Sequence, residues 1–425
     1  MDADTVRAFV RALPDYEMSG ASPFADVGAG LRRTERLLDL LGRPDVRYLV
    51  AQVAGTNGKG STAAMLATIL EAAGARTGLY TSPHLRRWEE RIRISGRVID
   101  DALLARAGAL VIDATLQSGD TPTRFEFWTA LASAAFAEDS CRAAVLEVGL
   151  GGRYDATTAA RVDLAVITRI ALDHTAILGP TREAIAAEKA AIVGERMPLV
   201  VGAQEADSLA VILARAKERA SPHLVAGRDF SWRRTPDGLD VTVLGQAYAG
   251  LRVPLRGAYQ EENAATAVAA ALGMGTLGIQ ITPEMVADGI ARARWPGRFE
   301  VVGDVVLDGA HNPDGAAALA RSLEAEFPGE RATLVLGCHR DKDLAGMLGA
   351  LAPVTRRFVA VRARSPRARD DAEIAAAARE AGIEAEVAGD VAQGLESARR
   401  GGGLVVVCGS LAVVGEARAA LGLEE

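Results

Sequence analysis

The sequence predicts an α/β protein in two parts: a P-loop-type domain on a mostly parallel sheet, then a smaller Rossmann-like α/β domain. Three observations predict it. Short apolar runs alternate with helix-like stretches along the chain, the pattern of a parallel sheet covered by helices. A glycine-rich turn, Gly55-Thr56-Asn57-Gly58-Lys59-Gly60-Ser61, leaves the first clear strand and enters a helix. The 425 residues also exceed what one ordinary core holds, so two or three domains are expected.

The elements follow in order. Residues 48–54 form an apolar strand, and the stretch from Lys59 to Ala73 behind the glycine turn is helical. Further strands are expected at Arg76 to Thr81, Ala143 to Val148, Leu164 to Thr168 and Leu199 to Val201. Helices are expected at Asp101 to Leu116, Phe125 to Ala137 and Arg182 to Val193. From Ser231 to Leu255 shorter alternating segments flank Pro236-Asp237-Gly238, which suggests an appended β-hairpin, and a helix from Glu261 to Leu272 follows. Proline and glycine in Trp295-Pro296-Gly297-Arg298 interrupt the pattern, so a boundary is placed there, between a domain of residues 1–296 and one of 297–425. The second part repeats the alternation: strands at Val305 to Asp308, Ala332 to Gly337, Arg357 to Val361 and Leu404 to Cys408, with helices after Pro313 and around Ala372 to Ala381.

Composition narrows the class. With 49% apolar and 24% charged residues the chain has the profile of a soluble globular protein. No apolar run approaches the ~18 residues of a membrane span, and the acidic start Met1-Asp2-Ala3-Asp4 does not read as a secretory signal, so a cytoplasmic protein without membrane attachment is expected. A net charge of −7 argues against a general nucleic-acid binder. Cys141, Cys338 and Cys408 are far apart, lack CxxC spacing and sit in apolar runs, which favours buried, reduced thiols.

The glycine turn carries the first chemistry. A turn between strand and helix presents backbone N–H groups and the positive helix end to an anion. Lys59 adds a mobile charge suited to outer phosphates, and Ser61 offers a hydroxyl to Mg²⁺. The spacing departs from the common P-loop, with two residues rather than four before Gly-Lys and a glycine between Lys59 and Ser61. Glu147 ends an apolar strand, so its carboxylate belongs at the carboxyl edge of the sheet, where open α/β sheets bind ligands. His174 follows the next strand by a short loop, at the same edge. With Ser61 these could ligate magnesium, although for His174 a hydrogen-bonded loop histidine is the plainer reading of the residues, because Mg²⁺ prefers oxygen. On sequence alone Lys189 reads as a surface lysine.

The segment Val53 to Thr62 resembles the nucleotide loop of the Mur ligase superfamily, and its Gly-Lys-Gly-Ser form is similar to the folylpolyglutamate synthase and dihydrofolate synthase branch. Four further segments carry the same resemblance: Thr81-Ser82-Pro83-His84-Leu85 with Glu90-Arg91-Ile92-Arg93; Glu147 to Arg153 with Asp155-Ala156-Thr157; Leu172-Asp173-His174-Thr175 with Glu188-Lys189-Ala190; and Asp308-Gly309-Ala310-His311-Asn312-Pro313. They occur in family order and span residues 53 to about 415.

The resemblance implies an ATP-dependent amide-bond-forming ligase. ATP would phosphorylate a folate or dihydropteroate carboxylate, and the amine of L-glutamate would displace phosphate. It places Gly55, Thr56, Asn57, Gly58, Lys59, Gly60, Ser61 and Thr62 around the phosphates, with Asn263, Arg298 and Asp308 also on the nucleotide. Ser61, Glu147, His174 and Lys189 would serve magnesium, Lys189 as a carbamylated lysine. Lys59, Lys189 and His311 would be catalytic, His311 and Asn312 touching nucleotide or glutamate, while Ser82, His84 and Phe125 would lie on the pterin side. For Arg86, Arg87, Arg91 and Arg93, attraction of glutamyl carboxylates and a solvated face are both open, since Glu89 and Glu90 interleave them. A monomer is expected. Trp88, Glu89, Thr158 and Cys338-His339 depart from the family's pattern, the first two on the folate side.

Two other readings are weighed. A Mur-type ligase of cell-wall precursors would carry a nucleotide-sugar domain ahead of the phosphate loop, and the 54 residues before Gly55 are short for one. A P-loop regulatory ATPase would not need the second domain or the Asp308 to Pro313 segment.

Overall fold

The computed structural model describes residues 1–15 and 28–423. The first sheet has eight strands: β1 (Leu49–Ala54), β2 (Thr77–Tyr80), β3 (Ile92–Ile94), β4 (Arg97–Val98), β5 (Ala143–Glu147), β6 (Leu164–Ile167), β7 (Leu199–Val201) and β8 (His223–Val225). Their order is β4-β3-β2-β5-β1-β6-β7-β8, parallel from β2 to β8 and antiparallel at the β2–β3–β4 edge. β1 is central because helices cover both faces of the sheet. Its apolar run is therefore nearly continuous rather than alternating, and only Leu49 is less than fully buried. In register, Val53 pairs with Glu147, so the phosphate loop and Glu147 leave the sheet side by side.

One face of this sheet packs under the helices Lys59–Ala72, Tyr259–Thr276 and Pro283–Arg292. The other face is divided. Helices Ala3–Ala12, Ala29–Leu40, Asp101–Ser118 and Arg124–Glu138 cover the β2–β5 side, and Arg182–Ala190 and Ala206–Glu218 cover β6 and β7.

The segment expected as an appended hairpin is a three-stranded antiparallel sheet, β9 (Phe230–Thr235), β10 (Gly238–Val243) and β11 (Gln246–Leu251). It is no appendage. Leu239, Val241, Val243, Tyr248 and Leu251 are buried in the same core as the Lys59 helix. The alternation marks a half-buried strand, but it cannot say which partner covers the apolar side.

The second sheet contains β12 (Glu300–Val302), β13 (Val305–Leu307), β14 (Ala332–Leu336), β15 (Thr355–Ala360), β16 (Ala385–Val387) and β17 (Val405–Cys408), ordered β12-β13-β17-β14-β15-β16. Only β12–β13 is antiparallel. Helices Pro313–Glu326, Leu344–Leu351 and Asp371–Glu380 lie on one side, with Val391–Arg400 and Leu411–Ala420 on the other. Helices Ala3–Ala12, Ala29–Leu40, Ala206–Glu218, Pro283–Arg292, Leu344–Leu351, Val391–Arg400 and Leu411–Ala420 and strands β3, β4, β8 and β16 have no counterpart among the expected elements. Cys141, Cys338 and Cys408 are buried and unpaired. Among the described residues no helix is long and apolar enough to cross a membrane.

Candidate active site

The phosphate loop is shaped by its contacts. Gly58 caps the helix at φ 88°, a left-handed conformation, and a Cβ there would lie 2.3 Å from Asn263 Oδ1. At Gly60 a Cβ would meet the indole of Trp295. The helix's first backbone bond is Thr62 N–H to Gly58 O, at 2.9 Å. The N–H groups of Lys59, Gly60 and Ser61 are therefore left without intrahelical acceptors, the arrangement that receives an anion. Thr56 and Asn57 differ: both backbone N–H groups donate to Arg169 O, at 2.8 and 3.2 Å. They tie the loop to the end of β6 and offer no free amide to a phosphate. Lys59 Nζ donates to Thr56 O at 3.1 Å.

Asn263 is not a helix-surface residue. It is buried, donates to Gln260 Oε1 at 3.0 Å, and packs on the loop at Gly58. Gln260 in turn donates to Ser61 Oγ at 3.2 Å, which leaves that hydroxyl one lone pair and its proton for other work.

At the end of β5, Glu147 is buried, and its Oε2 accepts the Ser82 N–H at 3.1 Å. Burial raises its carboxyl above the ordinary range, with Lys59 and Arg298 opposing. The Phe125 ring lies over Gly149 and beside Tyr80, so Ser82 and Phe125 are brought to the same strand end. His84 instead accepts from Arg91 Nε at 3.1 Å within its own loop. Arg91 is buried, which removes it from a solvated basic face. Trp88 and Glu89 anchor this loop: Arg124 and Arg11 lie 5.2 and 5.8 Å from the Trp88 ring, and Glu89 accepts from Arg7 at 2.6 Å.

Lys189 is 4% exposed, on the last turn of its helix, and among the described residues no carboxylate or carbonyl pairs with its amine. Burial, helped by the nearby charge of Lys59, lowers it to about 7. His174 sits at φ 51° before a short helix; burial and the adjacent Lys342 lower it to about 3, so it is a neutral imidazole.

The second domain closes the site. Lys342, buried, donates from Nζ to Asp173 Oδ1 at 2.5 Å and lies 3.5 Å from His174 Nε2. His311 Nε2 is 3.2 Å from Asp173 Oδ2, and its Nδ1 is 2.8 Å from Gly309 O. Burial works against an ionised Asp173, but the His311 hydrogen bond and the surrounding positive charge outweigh it and hold the carboxyl well below its usual range. Asn312 joins the same group, donating to Asp173 Oδ2 at 3.1 Å. Asp308 accepts from Tyr259 Oη, Phe299 N and Ala310 N, so here it fixes the His311 loop rather than facing a ligand. Arg298 lies over Gly309, between the two sheets. A cleft of about 380 Å³ opens beside this group, lined by Arg169, Asp173, His174, Arg182, Asn312 and Lys342 among others.

Asp173, Lys342, Gln260 and Arg169 were not assigned from sequence. Asp173 adjoins His174, but Lys342 lies between two aspartates and carries no signal that its partner is 169 residues away.

This architecture has relatives. Residues 53–271 match the Mur ligase middle domain and residues 297–411 the Mur ligase glutamate ligase domain. The chain belongs to the Mur ligase family, in its folylpolyglutamate synthase/dihydrofolate synthase branch. It is 33% identical to a dihydrofolate synthase/folylpolyglutamate synthase of Bacillus subtilis, over 92% of this chain and 95% of that one. It is 40% identical to a probable bifunctional folylpolyglutamate synthase/dihydropteroate synthase of Haloferax volcanii over 92% of its own length, and it spans about half of that longer protein, 48%. Among solved structures, Mycobacterium tuberculosis folylpolyglutamate synthase complexed with ADP and AMPPCP superposes with a TM-score of 0.88 at 33% identity, covering 99% and 98% of the two chains. Escherichia coli FolC in complex with DHPP and ADP gives 0.88 at 32%, with the same coverage.

In this Mur ligase the described residues contain no cluster of three or more acidic, histidine or cysteine side chains able to hold a metal by themselves. Mg²⁺ keeps waters and substrate phosphates among its ligands. Ser61 Oγ, the free Oε1 of Glu147 and neutral His174 are donors consistent with such an ion.

Proposed function

We propose that this chain is an ATP-dependent ligase that joins L-glutamate to the carboxylate of a folate or dihydropteroate through an acyl phosphate. One observation supports it above the others. Free helix-start amides, Lys59 and the buried Glu147 of the first domain lie within electrostatic reach of Asp173, which Lys342 and His311 of the second domain hold. Relatives whose names or complexes carry folate ligation, ADP and DHPP support the substrates.

The N–H groups of Lys59, Gly60 and Ser61 cradle the phosphates, and Lys59 follows the transferring phosphoryl group as its charge redistributes. Ser61, Glu147, His174 and a carbamylated Lys189 would hold Mg²⁺, which would supply neutralisation of phosphate charge. Lys189 supports the carbamate by its chemistry: carbamylation needs a neutral amine (R–NH₂ + CO₂ → R–NHCOO⁻ + H⁺), and burial provides one. The acceptor carboxylate attacks the γ-phosphorus and ADP leaves. The glutamate amine, deprotonated, then attacks the acyl carbon and expels phosphate, so amide, ADP and phosphate account for all atoms. Ser82 and Phe125 hold the pterin side, while His311 and Lys342 hold nucleotide or glutamate from the second domain. The working unit is a cytoplasmic monomer with a boundary near residue 296.

The test is direct. The protein is incubated with Mg-ATP, L-glutamate and either 7,8-dihydropteroate or tetrahydrofolate, and phosphate release and product mass are read. Phosphate release that needs both acceptor and glutamate is expected. ATP hydrolysis indifferent to both would leave a regulatory ATPase instead.

A further inference from the structure

We propose that Asn57 and Asn312 form an interdomain clasp that positions the two halves of the site, and that neither side chain is a ligand of the nucleotide. The inference deepens the ATP-ligase reading and rests on it for its kinetic readouts.

The two amides pair reciprocally. Asn57 Nδ2 donates to Asn312 Oδ1 at 3.2 Å, and Asn312 Nδ2 donates to Asn57 Oδ1 at 3.1 Å. A side-chain amide has two N–H donors and two acceptor lone pairs. In Asn312 all four are used: Oδ1 also takes the Gly315 N–H at 2.8 Å, and Nδ2 also donates to Asp173 Oδ2. In Asn57 both N–H groups are used, the second on Asp314 Oδ2 at 2.8 Å. Asn312 is 1% exposed, so breaking its set leaves buried polar atoms unsatisfied.

Arg169 closes the circuit. Its carbonyl receives the backbone N–H groups of Thr56 and Asn57, and its Nε donates to Asp314 Oδ1 at 2.9 Å. The tip of the phosphate loop, the end of β6 and the first turn of the Pro313–Glu326 helix are thus one hydrogen-bonded unit. Acyl phosphate forms on the first domain, and the attacking amine is held against the second. A small error in their relative placement falls directly on the in-line geometry, where about 1 Å costs on the order of 100-fold.

The experiment compares wild type with Asn57→Ala, Asn312→Ser and the double variant; serine keeps an N-cap oxygen for Gly315 and removes the amide. AMPPCP affinity is read by calorimetry and kcat by phosphate release with acceptor and glutamate. Asn57→Ala and Asn312→Ser are each expected to lower kcat by roughly 10- to 100-fold with AMPPCP Kd within about twofold of wild type. The losses should combine less than multiplicatively in the double variant, because the Asn57–Asn312 pair is already broken in either single. A tenfold or larger rise in Kd for Asn57→Ala, or multiplicative losses in the double variant, would overturn the clasp. Solution scattering gives a readout independent of activity. Asn57→Asp sets a carboxylate against Asp314 and should enlarge the radius of gyration; an unchanged radius counts against the proposal. Wild type that fails to bind AMPPCP would instead refute the ATP reading.

Discussion

Replacing Lys189 removes an amine whose positive charge burial opposes, and the size of that effect follows from its surroundings. A lysine at its ordinary 10.5 has about three amines in ten thousand uncharged at pH 7, whereas one lowered to about 7 has about half. Neutral amine available to CO₂ is thus enriched roughly a thousandfold. At fixed bicarbonate, carbamate on Lys189 should rise as pH climbs through 7 and then level off. The assay is ¹³C NMR of the folded protein in ¹³C-bicarbonate, with Lys189→Ala as the blank. Acetate added to Lys189→Ala should restore part of kcat by supplying the missing carboxylate. Without bicarbonate, Lys189 binds fewer protons folded than unfolded between pH 7 and 10.5. Relative to Lys189→Met, stability should therefore increase by about 1.4 kcal/mol per pH unit across that window, and the destabilisation should be fully present below 7. No wild-type resonance beyond the blank up to pH 8, at saturating bicarbonate, would refute the reasoning.

Lys342→Met leaves Asp173 buried with His311, Asn312 and its own backbone contact, so a loss near the lower end of the 3–5 kcal/mol for a broken buried pair is expected in urea unfolding, about 3 kcal/mol. Gly58→Ala forces a left-handed alanine against Asn263 and should cost roughly 2–4 kcal/mol, with weaker AMPPCP binding as Gln260 and Ser61 shift; calorimetry and thermal melting check it. Glu147→Gln can keep an oxygen for the Ser82 N–H but lacks the charge, so phosphate release should fall 100-fold or more at about the wild-type melting temperature. Trp88→Ala removes the ring that Arg11 and Arg124 cover and loosens the Ser82 loop; KM for the pterin acceptor should rise several-fold while KM for ATP holds, and Trp88→Phe should recover most of it.

The sheet was legible where strands are buried on both faces, since β1, β5, β6 and β7 each form a solid apolar run between punctuating residues. It was least legible where a helix is short or its apolar stripe is diluted. Leu344–Leu351 is eight residues long, and Val391–Arg400 buries only four of its ten. The glycine turn, Glu147 and His174 could be placed at one edge because chain order dictates which ends of parallel strands coincide. Lys189 could not: on a ten-letter stretch a buried amine and a solvated one look alike. Lys342 shows the same limit more sharply, because flanking aspartates suggest a surface patch, whereas the fold turns the middle residue inward.

The pairing of Asp173 with Lys342 also has a meaning in time. The two are 169 residues apart, and a ribosome adds about 5–20 residues each second. For roughly ten to thirty seconds of synthesis the newborn chain carries the aspartate without its lysine. The phosphate loop and Glu147 emerge before it, so a nascent chain that already has a nucleotide-binding edge still lacks the domain that aims the second half of the reaction. Premature release at the Pro296-Gly297 break would leave a fragment whose Asp173 lacks Lys342, His311 and Asn312 together.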